Sequence, residues 1–134
     1  MNNDNILVIG GSGFIGEYFV SELIRCGKKV SIFNGHSSET IDMAISKVSV
    51  VAFLAQPNQS LLQETFMLML KEKIHTFLYS STVLLYKEGE GLRKESDELF
   101  PVTEYAKNKY EEEKLVIDFK NNNPQINLCQ ITKS

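Results

Sequence analysis

The feature that most constrains this chain is a glycine-rich turn that directly follows a short apolar run. Residues 6–9 read Ile-Leu-Val-Ile, and the next seven are Gly10-Gly11-Ser12-Gly13-Phe14-Ile15-Gly16. A short apolar run that ends in glycines is typical of a strand buried on both faces of a parallel sheet. Apolar residues then recur at helical spacing over residues 14–26, and Gly27 stands where a helix-terminating glycine belongs. The pattern predicts a strand, a glycine turn and a helix.

This context gives the glycine spacing a physical purpose. The first glycine permits a tight turn, the second lets the backbone approach a phosphate, and Gly16 lets the helix pack closely on the strand. The N–H groups and the dipole of the helix N-terminus then face the pyrophosphate of a dinucleotide. A P-loop is excluded because no Gly-Lys-Ser/Thr follows. We predict that NAD or NADP is bound by Gly10, Gly11, Ser12, Gly13, Phe14, Ile15 and Gly16. The alternative is a glycine-rich turn without a ligand.

The rest of the chain alternates between strand and helix patterns. Further strands are predicted at residues 29–33, 48–54, 75–80 and 126–131, and further helices at residues 39–46, 60–73 and 103–120. Ser60 and Gln63 have the spacing of a capping box, Thr103 is a candidate cap for the last helix, and the charged stretch 87–101 is predicted to be a surface loop. The alternation predicts an α/β fold, a three-layer open parallel sheet of the Rossmann-like kind, in one domain over residues 1–134.

Composition excludes several other classes of function. The net charge is −3 without a cluster of Lys and Arg, which argues against nucleic acid as a partner. No apolar run reaches the roughly 20 residues of a membrane span, and no basic leader precedes the first strand, so the cytoplasm is the expected location. Cys26 and Cys129 are predicted to be free, buried thiols, and Met67 and Met69 to be core residues. His36 and His75 lack ligand-like spacing, so no metal site is expected.

Asn34 stands about twenty residues after the glycine turn. Dinucleotide sites commonly place an acidic side chain there, on the adenosine ribose. An amide still hydrogen-bonds a ribose hydroxyl and repels a 2′-phosphate less than a carboxylate does. No nearby Arg or Lys clearly recruits such a phosphate, so both NAD and NADP stay open as cofactors.

Three polar motifs occur in an order that resembles a known family. They are Gly10-x-x-Gly13-x-x-Gly16, Ser80-Ser81-Thr82 and Tyr105-x-x-x-Lys109, supported by Val51-Ala52-Phe53-Leu54-Ala55 and by Tyr86 four residues after Thr82. The set is similar to the extended short-chain dehydrogenases/reductases, the nucleotide-sugar epimerases and dehydratases. The resemblance implies Thr82, Tyr105 and Lys109 as catalytic residues. It adds Leu54, Ala55, Ser80, Tyr105 and Lys109 to the cofactor site.

These roles are chemically reasonable. Tyr105 and Lys109 are one helical turn apart, so the ammonium favours the ionised phenol, which is then a usable base. By the resemblance, Tyr105 takes a proton from a sugar hydroxyl, directly or through Thr82, while hydride passes to the nicotinamide and Lys109 holds the nicotinamide ribose. The competing interpretation is a chance pair on an exposed helix, with Thr82 bonded to backbone at a strand end.

The chain departs from the family pattern in two places. Only thirteen residues separate Asn34 from Val48, where the family has a further strand and helix, so the expected sheet is reduced to five strands in the order 2-1-3-4-5. The substrate-binding lobe that follows the last strand in the family is expected to be absent. Apolar surface that this lobe would cover is then exposed or covered by a second copy or another chain. Two hypotheses follow: an oxidoreductase acting on a nucleotide sugar, or a non-catalytic cofactor-binding or structural remnant.

Overall fold

The computed structural model describes residues 5–10, 14–34, 40–55, 58–81 and 104–132, and the structural statements below concern these ranges. Strands and helices alternate along them. The strands are β1 (Asn5–Ile9), β2 (Lys29–Phe33), β3 (Val50–Phe53), β4 (Thr76–Ser81) and β5 (Asn127–Thr132). The helices are α1 (Phe14–Arg25), α2 (Ile41–Ile45), α3 (Gln59–Glu72) and α4 (Glu104–Asn122). The predicted loop at 87–101 and the cap at Thr103 lie outside the described residues.

The five strands form one parallel sheet in the order β2-β1-β3-β4-β5. The predicted α/β class and strand order are therefore confirmed. The chain leaves β1 toward β2 on one side, whereas β3 lies on the other side of β1. This reversal is the topological switch point, where open α/β sheets usually bind their ligands. Ile9, Phe53 and Tyr79 stand in one register row near the carboxyl ends of β1, β3 and β4.

Successive strand residues point to opposite faces of the sheet and build two separate cores. The smaller core joins Val20 of α1 to Ile6, Val8 and Ala52. The larger core lies under α2, α3 and α4, and its buried members from the sheet are Leu7, Ile9, Val51, Phe53, Phe77 and Tyr79. In this second core Phe66 of α3 stacks on Phe119 of α4 with ring centroids 3.9 Å apart. Helix α4 is thus fixed against the same sheet face as α3.

The start of α3 differs from its prediction. Asn58 is the N-cap, and its side chain accepts a hydrogen bond of 3.0 Å from the Leu61 N–H. The capping box of Ser60 and Gln63 is therefore wrong. Asn is as good an N-cap as Ser, and the extended backbone of Asn58 suits that position, which leaves Ser60 inside the first turn. Helix α2 is also shorter than predicted, with Thr40 as its N-cap.

Helices α1 and α3 end in the same hydrogen-bond pattern on two different residues. At the end of α1, Gly27 has a φ of +82°, and the N–H groups of Gly27 and Lys28 bond the carbonyls of Ile24 and Leu23. The expected terminating glycine is confirmed. At the end of α3, Lys73 takes the same left-handed place with a φ of 59°. Both ends are Schellman motifs, which satisfy the last carbonyls of a helix.

Three side chains predicted to be buried are exposed. Cys26 and Cys129 are free, as predicted, but both face solvent. Cys26 follows the last turn of α1, and Cys129 lies on the sheet face opposite that of Leu128, which packs on the larger core; neither cysteine belongs to a core cluster. Met67 is 70% exposed, whereas Met69, two residues on along α3, is fully buried. No helix in the described ranges is long and apolar enough to cross a membrane.

Candidate functional site

The site begins at Gly10, where β1 leaves the sheet. Gly10 has a φ of +87°, a conformation that side chains disfavour. A Cβ at this position would lie 2.5 Å from the Cα and 2.6 Å from the N of Ala55, closer than atoms can approach. The backbone is held there, because the Gly10 N–H donates to the Phe33 carbonyl (2.9 Å) and the Leu54 N–H donates to the Ile9 carbonyl (2.8 Å). Gly10 therefore has the left-handed conformation that the predicted tight turn requires at its first residue.

The fold brings together several of the predicted cofactor residues at this turn. Gly10 follows β1, while Leu54 and Ala55 follow β3, on the other side of the switch point. Asn34 follows β2 and is exposed. Contact of these residues with a cofactor stays a prediction, but their position at the carboxyl ends of β1, β2 and β3 is the position that the prediction requires.

Helix α1 starts immediately after the turn. Phe14 is its first residue, and Gly16 is buried within its first turn. Its N-terminal N–H groups and the positive end of its dipole therefore lie next to the carboxyl end of β1, as pyrophosphate binding requires. Gly11, Ser12 and Gly13 lie outside the described residues, as do the side chains of Phe14 and Ile15.

The predicted catalytic residues are placed in part. Thr82 lies outside the described residues, and Ser80 is half-buried in β4. Tyr105 and Lys109 both lie in α4, one turn apart, although the Tyr105 side chain is not described. The predicted pairing of Tyr105 with Lys109 therefore stays a prediction.

The Lys109 side chain is not on an exposed helix face. Only 3% of it is accessible, and its ammonium donates to Oε1 of Glu112 at a distance of 3.1 Å. The Glu112 side chain is completely buried. The same ammonium lies 4.3 Å from the centre of the Tyr79 ring, a cation–π contact. Tyr79 donates its hydroxyl to the Glu112 Oε1 at 2.7 Å. Lys109, Glu112 and Tyr79 form a cluster that we call the buried triad.

Glu112 also reaches a third element. Its Oε2 accepts a hydrogen bond of 2.9 Å from the backbone N–H of Asn58, the N-cap of α3. One carboxylate thus ties α4 to β4 and to the segment that follows β3. Negative charge at this place is favourable because the positive end of the α3 dipole lies there.

Glu112 belongs to none of the sequence motifs and was not predicted as a site residue. The sequence of α4 did contain a signal for an internal ion pair. The positions that the structure buries recur at helical spacing, and two of them are charged. Those positions are Ala106, Lys109, Glu112, Val116 and Phe119. Opposite charges three residues apart on a buried stripe indicate an internal ion pair. The third member of the buried triad, Tyr79, lies 33 residues from Glu112 in sequence.

Solved structures of nucleotide-sugar enzymes share this fold. UDP-N-acetylglucosamine 4-epimerase from Bacillus cereus matches 95% of the chain at 22% identity and a TM-score of 0.71. The Methanobrevibacter ruminantium UDP-N-acetylglucosamine 4-epimerase in complex with UDP-N-acetylmuramic acid matches 97% at 20% identity and 0.72. Thermus thermophilus UDP-glucose 4-epimerase in complex with NAD matches 96% at 16% identity and 0.69.

These likenesses establish the fold. The matches cover 52%, 54% and 53% of the three solved chains respectively, so this chain spans about half their length. No protein-family model matches the sequence, and no curated protein matches it. At the level of the fold, the resemblance read from the glycine, serine and tyrosine motifs is confirmed.

Proposed function

We propose that this chain is a dinucleotide-binding domain of the nucleotide-sugar epimerase and dehydratase type, with NAD or NADP as its cofactor. The observation that carries the proposal is Gly10. It stands in a left-handed conformation against the Ala55 backbone at the topological switch point, and α1 begins four residues later. A turn without room for a side chain, placed before a helix N-terminus, fits a pyrophosphate.

Different residues around the turn would bind different parts of the cofactor. Gly11, Ser12 and Gly13 would present backbone N–H groups to the pyrophosphate, together with the first turn of α1. Leu54 and Ala55 would form the wall on the β3 side, and Asn34 would bond the adenosine ribose. The nicotinamide, when bound, supplies an acceptor or donor of hydride. NAD in the Thermus thermophilus 4-epimerase complex supports this cofactor class.

The finer proposal concerns catalysis. Tyr105 would act as the base toward a sugar hydroxyl, with Thr82 as a proton relay and Lys109 beside the nicotinamide ribose. The one-turn spacing of Tyr105 and Lys109 on α4 supports it. Nucleotide sugars as substrates are supported by the UDP-sugar enzymes that share the fold. In this proposal the chain works with a further substrate-binding segment, a second copy or a partner chain.

A second candidate is a cofactor-binding module without turnover. It is favoured by the state of Lys109, whose ammonium is buried and already engaged by Glu112 and the Tyr79 ring. A lysine satisfied in this way is a structural group unless a ligand competes for it. Both candidates bind the cofactor at the same site. They differ in whether Tyr105 and Lys109 of α4 take part in catalysis.

Cofactor binding is tested by calorimetric titration with NAD, NADH, NADP and NADPH, with melting temperature followed in parallel. A ligand at about 100 times its Kd stabilises a one-site protein by about 2.7 kcal/mol. Gly13→Val should abolish binding by blocking the approach to the pyrophosphate. Gly27→Ala is the matched control, because its Cβ would meet no atom within 4 Å and it lies at the far end of α1. Absence of binding by the folded wild-type chain would refute the proposed function.

Turnover is tested separately with UDP-sugars and the cofactor that binds. Tyr105→Phe should abolish turnover while cofactor is still bound, because only the acidic hydroxyl is removed. If the wild-type chain binds cofactor without any turnover, the non-catalytic candidate is correct for this chain.

A further inference from the structure

The buried triad contains two full charges in the interior of the larger core. The Glu112 carboxylate receives three donors: the Lys109 ammonium, the Tyr79 hydroxyl and the Asn58 N–H. The Lys109 ammonium in turn has the carboxylate and the Tyr79 ring as partners. The two charges cancel, so the cluster is neutral as a whole.

Stability alone is a weak reason for such a pair. Burying two charges costs several kcal/mol per ion, and well-packed apolar side chains of similar volume commonly serve as well or better. Other buried positions on the same stripe of α4 are Ala106, Val116 and Phe119, so apolar residues are accommodated there. The position of the pair therefore calls for a second explanation.

That position is next to the candidate cofactor site. Tyr79 stands in the register row of Phe53 and Ile9, and Ile9 directly precedes the glycine turn. Neighbouring strands lie about 4.8 Å apart, so the Tyr79 backbone stands about 10 Å from the Ile9 backbone, across two strand spacings. Glu112 also holds the Asn58 N–H, three residues after Ala55. A charge in the protein interior acts over this distance with little screening.

We propose that Glu112 balances the charge of Lys109 beside the dinucleotide site and thereby sets the site's preference between oxidised and reduced nicotinamide cofactor. The inference rests on the proposed function. The oxidised nicotinamide ring carries one positive charge and the reduced ring carries none. A neutral triad has the same electrostatic effect on the affinity for both forms. An unbalanced Lys109 ammonium lowers the affinity for the positively charged oxidised form. Glu112 is thus a positioning and charge-balancing residue that acts through Lys109.

The test is the ratio of the Kd for the oxidised cofactor to the Kd for the reduced cofactor, measured by calorimetry on the full chain. Glu112→Gln keeps the size of the side chain and an oxygen acceptor for Tyr79, but removes the negative charge. If the Lys109 ammonium lies roughly 10 Å from the nicotinamide ring, one charge at an effective dielectric constant of about 20 should raise the ratio about ten-fold. This equals a rise of about 30 mV in the two-electron potential of the bound couple.

Glu111→Gln is the matched control on the same helix. Glu111 forms the exposed counterpart of the buried pair, with Lys114 at 3.3 Å and side chains 45% and 55% exposed. Solvent screens this charge, so its removal should leave the ratio unchanged. The double variant Lys109→Met/Glu112→Leu removes both buried charges and keeps the cluster neutral. Its ratio should equal that of the wild type, even if both affinities fall.

A structural role alone predicts a different result. Loss of the native contacts would weaken both cofactor forms equally and leave the ratio at its wild-type value in every variant. That result, with both forms bound, would overturn the inference and leave the proposed function standing. If Glu112→Gln fails to fold, Lys109→Met is the second variant, and its ratio should move about ten-fold the opposite way; an unchanged ratio refutes the inference. If the folded wild type binds no nicotinamide dinucleotide, both the proposed function and the inference fail.

Discussion

Replacing Gly10 by Ala separates two reasons for a glycine that are usually confounded. Gly10 and Gly27 have nearly equal positive φ angles, +87° and +82°. At Gly27 a Cβ would meet nothing within 4 Å, whereas at Gly10 it would lie 2.5 Å from the Ala55 Cα. Gly27→Ala therefore measures backbone strain alone, and Gly10→Ala measures the same strain plus the close approach of β1 and β3.

The expected magnitudes follow from these contacts. Ala at a positive φ costs about 1 kcal/mol, which is the whole expected loss for Gly27→Ala. At Gly10 the obstacle is backbone, and hydrogen bonds from Gly10 to Phe33 and from Leu54 to Ile9 hold it in place. Forcing a methyl group into such a space adds about 1–3 kcal/mol. Gly10→Ala should therefore cost about 2–4 kcal/mol.

The assay is urea unfolding followed by far-ultraviolet circular dichroism, with the free energy of unfolding taken by linear extrapolation. The slope for a protein of this size is about 1–3 kcal/mol/M, so the two midpoints should differ by roughly 1 M. Equal losses for the two variants would refute the close approach at Gly10, and with it the observation that carries the proposed function. Cofactor affinity of Gly27→Ala should equal that of the wild type.

Three smaller changes test the helix ends. Asn58→Ala removes the acceptor of the Leu61 N–H and should lower the free energy of unfolding by about 1 kcal/mol in urea melts; an unchanged value would contradict the cap. Lys73→Gly relieves the left-handed φ of 59° and should raise the same quantity by about 0.5–1 kcal/mol, and a loss would contradict the strain. Thr40→Ala should raise the pKa of Asp42, since that pKa is lowered mainly by the hydrogen bond from the Thr40 hydroxyl. An NMR pH titration of the Asp42 carboxyl measures this pKa in both proteins, and equal titration curves would count against the bond. The stability that the bond contributes is present above the unfolded pKa of about 3.9 and is lost as the pH falls through the lower folded value.

Periodicity was sufficient for the order of strands and helices along the chain and for the α/β class. The run at residues 6–9 and the glycines after it predicted β1, the turn and α1, because these signals depend on neighbours within a few residues. The order β2-β1-β3-β4-β5 came from the resemblance to the extended short-chain dehydrogenases/reductases, reduced because the thirteen residues between Asn34 and Val48 leave room for only α2. The terminating role of Gly27 was likewise local and is confirmed by its left-handed conformation.

Local patterns were insufficient where two candidates compete or where burial depends on a distant layer. Asn58 and Ser60 are both good N-caps, and the backbone at Asn58 decided between them. Cys129 faces solvent, whereas its neighbour Leu128 on the same strand β5 packs on the larger core from the other face of the sheet. Which face of a strand a helix covers is a property of the whole fold, so a window of neighbouring residues does not contain it.

The sequence by itself determined that this chain makes a parallel α/β sheet with a glycine turn after its first strand, because turn geometry and periodicity are set by adjacent residues. It also placed Lys109 and Glu112 within one turn of each other. Only the tertiary structure decided that this pair is buried and bound to Tyr79, and that the Ala55 backbone closes on Gly10. Tyr79 and Glu112 are 33 positions apart in the sequence, and Gly10 and Ala55 are 45 positions apart. Whether a charge is paired in the core or solvated on the surface depends on which strand lies opposite, and that is settled by packing.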